Sequence, residues 1–443
     1  MNVNSRIIDG FSKLSRAEKI RLLKKIADDK KGLKADLDSH LYPQKKYQSL
    51  YADFSENTVS NYFLPYSLAP NFLINEKTYI VPMVTDESSV VAAAASAAKY
   101  WALRGGFMAK VLSAIKTGQV HFLWKGNFER LNYFLSSVKE RLLSESGDLA
   151  ENMQRRGGGI KDIELLDKTS ILPGYYQLNV KFDTVDAMGA NFINSVLERI
   201  AEIMARLVKE NRDFTDDERE IDIIMSILSN YAPDCIVECI AECRVDELDS
   251  GLKEMSPQVF AQRFKMAVDI AANDIYRAVT HNKGIFNGID AVLMASGNDY
   301  RAAEAQGHAF ASRNGKYTSL SEVYISGNIF HFRLMIPLTV GTFGGVTQLH
   351  PLAKRTFGIL GKPSAKELMQ IAASVGLANN FSALKSLVTK GIQQGHMRMH
   401  LTNILNSLNA TKKEISLAVD YFSNEIVSVK AVEDYLKSIR NTN

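Results

Sequence analysis

No run of about eighteen consecutive apolar residues, the length a membrane-crossing helix needs, occurs in this 443-residue chain. The closest approach, Val90–Ala98, stops at Lys99. The N-terminal stretch MNVNSRIIDGFSKLS has no apolar block of the kind that opens a secretory signal. The expectation is therefore a cytoplasmic protein with no membrane partner. Cysteine is scarce, and the three present (Cys235, Cys239 and Cys243) fit a reducing compartment. Their spacing of four invites a metal, but no clear fourth ligand accompanies them, and a structural role is expected. His396 and His400 stand four apart in GHMRMH, yet Met397 occupies the place of a metalloprotease glutamate, so no metal site is expected. Charge of one sign is also missing. With 53 basic and 49 acidic residues the net charge is +4, and no arginine-rich stripe with interleaved aromatics appears. That excludes nucleic acid as the expected partner and leaves room for a locally basic pocket holding a phosphorylated ligand. The familiar phosphate loops are absent too. Gly157-Gly158-Gly159 breaks the dinucleotide fingerprint at its last position, and Thr356 stands where a P-loop ending at Gly361-Lys362 would need glycine.

What remains is an ordinary globular composition, 46% hydrophobic and 23% charged, long enough for two or three domains. Ser15 followed by Glu18 forms a capping box opening an amphipathic helix over 15–30. Residues 53–75 are turn-rich, and Tyr79–Val84 is a short strand. Thr85–Ser89 starts a helix through VVAAAASAAKYWALR, placing Glu87 in its first turn, where the dipole favours a carboxylate. Simple capping would explain that glutamate equally. Then the period changes. Gln119–Trp124, Ile160–Leu166, Tyr175–Phe182 and Ile221–Leu228 alternate as strands; Phe128–Leu143 and Asn191–Leu207 repeat as helices. The order β-α-β-β-α-β is that of a ferredoxin-like module. The fold class expected is α+β: a large helix-rich domain (1–113 and 226–390), an inserted ferredoxin-like domain (114–225) and a helical C-terminal segment (391–443).

Chemistry concentrates in RAVTHNKGIFNGIDAVLMASGND, residues 277–299. Lys283 lies in a run whose Gly284 and Gly288 argue against a regular helix, and Asp299 follows in a second turn-like cluster. The apolar stretch between them can return the chain so that both charges meet. A lysine beside a carboxylate can stay protonated and polarise a carbonyl; a surface Lys–Asp pair on two loops is the other reading. The segment Asp186-Ala187-Met188-Gly189-Ala190-Asn191 opens the long helix of the small domain, where exposed backbone N–H groups favour an anion; a tight turn with no ligand fits as well. Gly395 before His396 suggests a hinge, making that histidine a candidate mobile general acid.

Five segments in order, ENTVSNYFLPYSLAPNF, VPMVTDESSVVAAAAS, VDAMGANFIN, YRAVTHNKGIFNGIDAVLMASGNDYRA and GIQQGHM, span about residues 56 to 397. With them the chain resembles 3-hydroxy-3-methylglutaryl-coenzyme A reductase, in the soluble class found in bacteria. The resemblance implies a catalytic set of Glu87, Lys283, Asp299 and His396, with every residue type in place. It implies reduction of a thioester to a primary alcohol by two hydrides from NADPH or NADH, or the reverse, with coenzyme A as part of the substrate. Lys283 would donate to the developing oxyanion, Asp299 would orient Lys283, and Glu87 would shuttle a proton at the aldehyde stage. His396 would protonate the leaving thiolate from a C-terminal flap. Arg277 and Ser89 would hold the hydroxymethylglutaryl group and Asn287 would orient the lysine network. Asp186, Met188, Gly189, Ala190 and Asn191, with Asn230 nearby, would line the nicotinamide side. A homodimer with the active site between subunits is implied. Two departures stand out. Asp86-Glu87-Ser88-Ser89 replaces a Glu-Glu-Pro-Ser common in the family, retaining Glu87 and Ser89. Ala150 stands where NAD-preferring members carry aspartate, while Arg155 and Arg156 lie close enough to meet a 2′-phosphate, which favours NADPH. The competing readings are a catalytically silent coenzyme A-binding scaffold, which predicts a damaged catalytic set, and an acyl-transferring enzyme, which predicts no cofactor segment.

Overall fold

The structure, a computed structural model, describes residues 8–28, 30–389, 401–402, 404–422, 425 and 427–441. The chain forms two compact units, Met1–Pro65 and Tyr66–Asn443. In the first, Ser15 and Glu18 make the expected reciprocal cap on α1 (Arg16–Ile26). Arg16 then ties that helix inward, donating to Val59 O at 2.6 Å and to Asp38 at 2.8 Å. Helices α2 (Leu33–Ser39) and α3 (Lys45–Ala52) complete this unit.

The second unit opens with an antiparallel pair, β1 (Tyr66–Ile74) and β2 (Lys77–Val84). The sequence reading took residues 53–75 as turns, and β1 corrects it. Pro70 falls where the register slips between Ala69 and Phe72, so the proline sits in a bulge rather than in the ladder. Helix α4 (Val90–Ala102) follows. Its run of alanines allows close approach, and Ala94, Ala97, Ala98 and Trp101 are buried. Strands β3 (Met108–Val111), β8 (Ile236–Arg244), β10 (Ile329–Pro337) and β9 (Ser321–Ser326) form one antiparallel sheet in that spatial order. Along β8 alternate residues face the core, Cys239 and Cys243 among them. Burial pushes the Cys239 thiol up to about 12 and those of Cys235 and Cys243 up to about 11. All three are free. They behave as small buried apolar groups, and among the described residues no cluster of His, Cys, Asp or Glu is arranged to hold a metal.

The alternation seen between residues 115 and 230 folds as expected. Strands β5 (Gly159–Asp167), β6 (Tyr175–Asp183), β4 (Lys116–Trp124) and β7 (Ile221–Leu228) make an antiparallel sheet in the order β5-β6-β4-β7. Helices α5 (Phe128–Glu145) and α7 (Ala190–Glu210) pack with it around a separate core that includes Trp124, Phe182, Leu197 and Ile200. This is the ferredoxin-like arrangement, with one short addition, α6 (Gly147–Gln154), that periodicity did not reveal.

Helices α8 (Pro257–Asn273), α9 (Ile275–Ala295), α10 (Tyr300–Ala311), α11 (Val346–Leu349), α12 (Pro351–Ile359) and α13 (Ala365–Val388) complete the larger core. Here α13 packs on α4, α8, α9 and β8. Phe264, Phe330, Phe332 and Phe381 interlock at its centre, with ring centroids 5.2–6.4 Å apart where they pair. The polar tail is helical over Lys412–Tyr421 and Val429–Asn441 and has its own small core around Leu405, Phe422 and Leu436. No helix among the described residues is long and apolar enough to cross a membrane.

Candidate active site

Helix α9 carries the central lysine, and here the structure corrects the sequence reading: residues 275–295 are continuous helix. Gly288 serves packing. A Cβ on Gly288 would lie 2.6 Å from Val375 O and 2.7 Å from Asn379 Nδ2, so only glycine lets α9 and α13 approach this closely. Asp274 caps the helix, accepting from Arg277 N at 3.1 Å.

Two buried polar residues just before Lys283 lock the helix in rotation. Asn282 donates to Thr318 O at 2.9 Å and Tyr317 Oη at 3.0 Å, and accepts from Leu320 N at 2.9 Å. His281 Nε2 lies 2.6 Å from Ser321 Oγ, which itself donates to Asn380 Oδ1 at 2.8 Å. The hydroxyl's proton is therefore used, so Nε2 carries the imidazole proton and donates. His281 Nδ1 is buried without a partner among the described residues. Burial first, and then the neighbouring Arg277 charge, push His281 down from 6.5 to about 3. The unfolded chain takes up this proton as pH falls below 6.5, whereas the folded chain holds it off until about 3. The stability supplied by neutral His281 is thus complete above 6.5 and is lost as pH drops toward 3. Denaturant titrations across this range should show a flatter decline for His281→Gln than for the parent chain; equal slopes would contradict the assignment.

With its neighbours turned inward, Lys283 faces outward and is exposed. Its Nζ donates to Glu87 Oε2 at 2.5 Å. Glu87 is not in the first turn of α4 as expected. It lies in the turn before it, with its N–H donating to Thr85 Oγ1 at 3.1 Å. Ser89, the residue preceding α4, adopts a left-handed φ of 79° and caps nothing with its side chain. Its hydroxyl is buried with no partner among the described residues, an arrangement costly enough to suggest use by a ligand. Asp299 does not meet Lys283 within the chain. It is the N-cap of α10, accepting from Ala302 N at 3.1 Å and lying 3.6 Å from Arg301 Nε. Arg277 and Asn287 are half-buried on α9, on either side of Lys283 in sequence. His396 lies outside the described residues. Sequence reasoning missed Asp290, two helical turns beyond Lys283; burial and the adjacent Glu304 carboxyl push it up to about 8. Its bare signal, an acid within an otherwise apolar run, was visible.

The second cluster surrounds the start of α7. Asp186 Oδ1 accepts from Ala365 N at 2.7 Å, at the head of α13, and its carbonyl accepts from Thr342 N at 2.8 Å. Met188 backs onto Gly341, where a Cβ would meet Met188 N at 2.4 Å. Gly189 takes φ 85° and offers α7 no side-chain cap, leaving the first-turn N–H groups of a 21-residue helix open. Ala190 and Asn191 form that turn. The triple glycine lies alongside, since a Cβ on Gly158 would strike Asp183 O at 2.4 Å. Phe343 joins both segments: it bridges Ala187 and lies under the Arg156 guanidinium at 5.2 Å from the ring centroid. Arg155 is turned to Glu151 at 2.5 Å. Asn230 is exposed and has no hydrogen bond to this cluster among the described residues.

The sequence profile of the hydroxymethylglutaryl-coenzyme A reductase family matches residues 15–401. A 3-hydroxy-3-methylglutaryl-coenzyme A reductase from Archaeoglobus fulgidus is 34% identical over 93% of this chain and 90% of its own length. A probable one from Borreliella burgdorferi is 35% identical over 84% and 82%. Among solved structures, the Streptococcus pneumoniae reductase superposes with a TM-score of 0.71 at 35% identity, covering 97% of this chain and 99% of that one. The class II enzyme of the same organism, bound to NADPH in open conformations, gives 0.70 at 36% over 86% and 99%. The chain belongs to the hydroxymethylglutaryl-coenzyme A reductase family.

Proposed function

We propose that Glu87 and Lys283, with Asp299 and His396, carry the interconversion of 3-hydroxy-3-methylglutaryl-coenzyme A with mevalonate and coenzyme A. The observation that carries the assignment is the Lys283–Glu87 pair, which joins residues 196 positions apart at an exposed surface. An exposed ion pair adds little to stability, so its place among ligand-ready groups is better explained by chemistry. The Lys283 ammonium stands where it can meet the oxygen of a thioester carbonyl and then of the hemithioacetal, stabilising the charge that develops there. Glu87, on the same ammonium, exchanges a proton with that oxygen at the aldehyde stage. Ser89 and Arg277 hold the hydroxymethylglutaryl end, the arginine through its carboxylate, while Asn287 orients the lysine. His396 protonates the departing thiolate, which would otherwise add back.

The start of α7 fits a dinucleotide. Its open N–H groups, left-handed glycine and small side chains accept an anionic backbone, and Asp186, Met188, Gly189, Ala190 and Asn191 would hold the nicotinamide side. Asn230 would join them at the rim. NADPH, with NADH as the alternative, supplies the hydride when bound. Arg156, fixed on Phe343, and Arg155 are the groups for a 2′-phosphate. The ferredoxin-like part is thus the cofactor half of a cytoplasmic enzyme. We also propose a homodimer. Asp299 stays apart from Lys283 within one chain, and α9 exposes Ile275, Tyr276 and Val279 beside the lysine, Tyr276 at 85%. These features support a site completed by a second copy.

Mixing the protein with NADPH and hydroxymethylglutaryl-coenzyme A, and following the nicotinamide absorbance band, tests this. A thioester-dependent loss of absorbance is expected, faster with NADPH than with NADH at equal concentration. A silent scaffold would give no change, and an acyl transferase would release thiol without one.

A further inference from the structure

Lys116, the first residue of β4, is only 6% exposed, and it faces no carboxylate hydrogen-bond partner. Its Nζ donates to Thr184 Oγ1 at 2.6 Å, Ala187 O at 2.8 Å and Met188 O at 2.9 Å. All three ammonium donors are used, and every acceptor is neutral. Thr184 Oγ1 donates on to Ala187 O at 2.7 Å, closing the network. The acceptors belong to the turn that ends at Gly189 and opens α7. A buried cation whose hydrogen bonds all go to neutral acceptors is costly, and an apolar residue would fill the space without that penalty.

We propose that Lys116 is a positioning residue for the dinucleotide: its ammonium shapes residues 184–188 from beneath, and a bound anionic cofactor in turn holds the proton on it. The proposal rests on the reading that residues 186–191 meet the cofactor. Burial already pushes Lys116 down from 10.5 to about 8. The titratable groups facing it are Cys235 and Asp183. The Cys235 thiol is pushed up to about 11 by burial and stays neutral near pH 8. Asp186, on the same turn, is engaged with Ala365 N. By linkage, a cofactor that favours the charged lysine binds less tightly once pH exceeds the free protein's value, because binding must then take up a proton.

Fluorescence titration with NADH between pH 6.5 and 9.5 tests this. Affinity should fall about tenfold per pH unit above the Lys116 midpoint, as far as the bound-state value allows, and binding at pH 8 in weak buffer should take up a proton. Lys116→Met should bind about tenfold more weakly at pH 7 and lose the pH dependence. A flat wild-type profile without proton uptake overturns the proposal whether or not the variant folds, as does a pH profile that survives in a folded Lys116→Met. Asn191→Asp, which adds an exposed carboxylate at the α7 start, separates the two readings. If it leaves NADH affinity unchanged, the cofactor segment itself is misassigned. If it weakens binding while Lys116→Met matches wild type at every pH, only the role of Lys116 fails.

Discussion

Lys283→Ala should lower kcat by about 10²–10³-fold or more, in the reductive and the oxidative direction alike, because removing one oxyanion donor from a site of this kind has that effect. The loss should fall on kcat rather than on cofactor affinity. Lys283 approaches the start of α7 through no hydrogen bond among the described residues, and its own partner is Glu87. The fold should be untouched. The lysine side chain is 57% exposed and its ion pair with Glu87 joins two half-solvated groups, an arrangement whose contribution to stability is at most about 1 kcal/mol. A thermal melt close to that of the parent chain, beside a collapsed rate, is the expected pair of results. Near-normal turnover would remove Lys283 from the chemistry.

Gly288→Ala should destabilise the protein by about 1–3 kcal/mol, the usual range for overpacking a well-filled core. The new methyl would lie 2.6 Å from the Val375 carbonyl oxygen and 2.9 Å from its carbon. Those are backbone atoms of α13 and cannot turn aside as a flexible side chain could. Across the same contact, a Cβ on Gly376 would meet Ile289 Cγ1 at 2.8 Å. The two helices are thus keyed together by a glycine on each, and relieving the clash means moving α9, which carries Lys283. Gly284 offers the control. Its Cβ would meet nothing within 4 Å, so Gly284→Ala should stabilise the helix by about 0.5–1 kcal/mol. Chemical denaturation of the two variants should give opposite signs. Destabilisation by both would mean that the glycines accommodate backbone bending rather than helix contact.

These glycines show where sequence reasoning reached its limit. The small sheet and its helices were legible because each strand alternates and each helix repeats against one apolar core. Lys283 and Glu87 were legible as chemistry because residue types and motif order survive without coordinates. The local conformation around Lys283 was not. Two glycines in five residues read as a break, but what decides the matter is the surface of α13, some ninety residues further along the chain. Glu87 was misplaced for a related reason: Ser89 takes a left-handed conformation, which delays the helix by one turn, and nothing in Asp-Glu-Ser-Ser announces it. β1 was hidden by Pro70, harmless at a bulge. Lys116 carried no motif, and only the fold reveals that its ammonium lies beneath the turn preceding α7.

The most direct test of the catalytic account is a crystal structure of the protein with 3-hydroxy-3-methylglutaryl-coenzyme A bound. The account predicts the thioester carbonyl oxygen about 2.7–3.1 Å from Lys283 Nζ, with Glu87 still on the same ammonium. A thioester lying against other residues, with Lys283 turned away from its carbonyl, would contradict it.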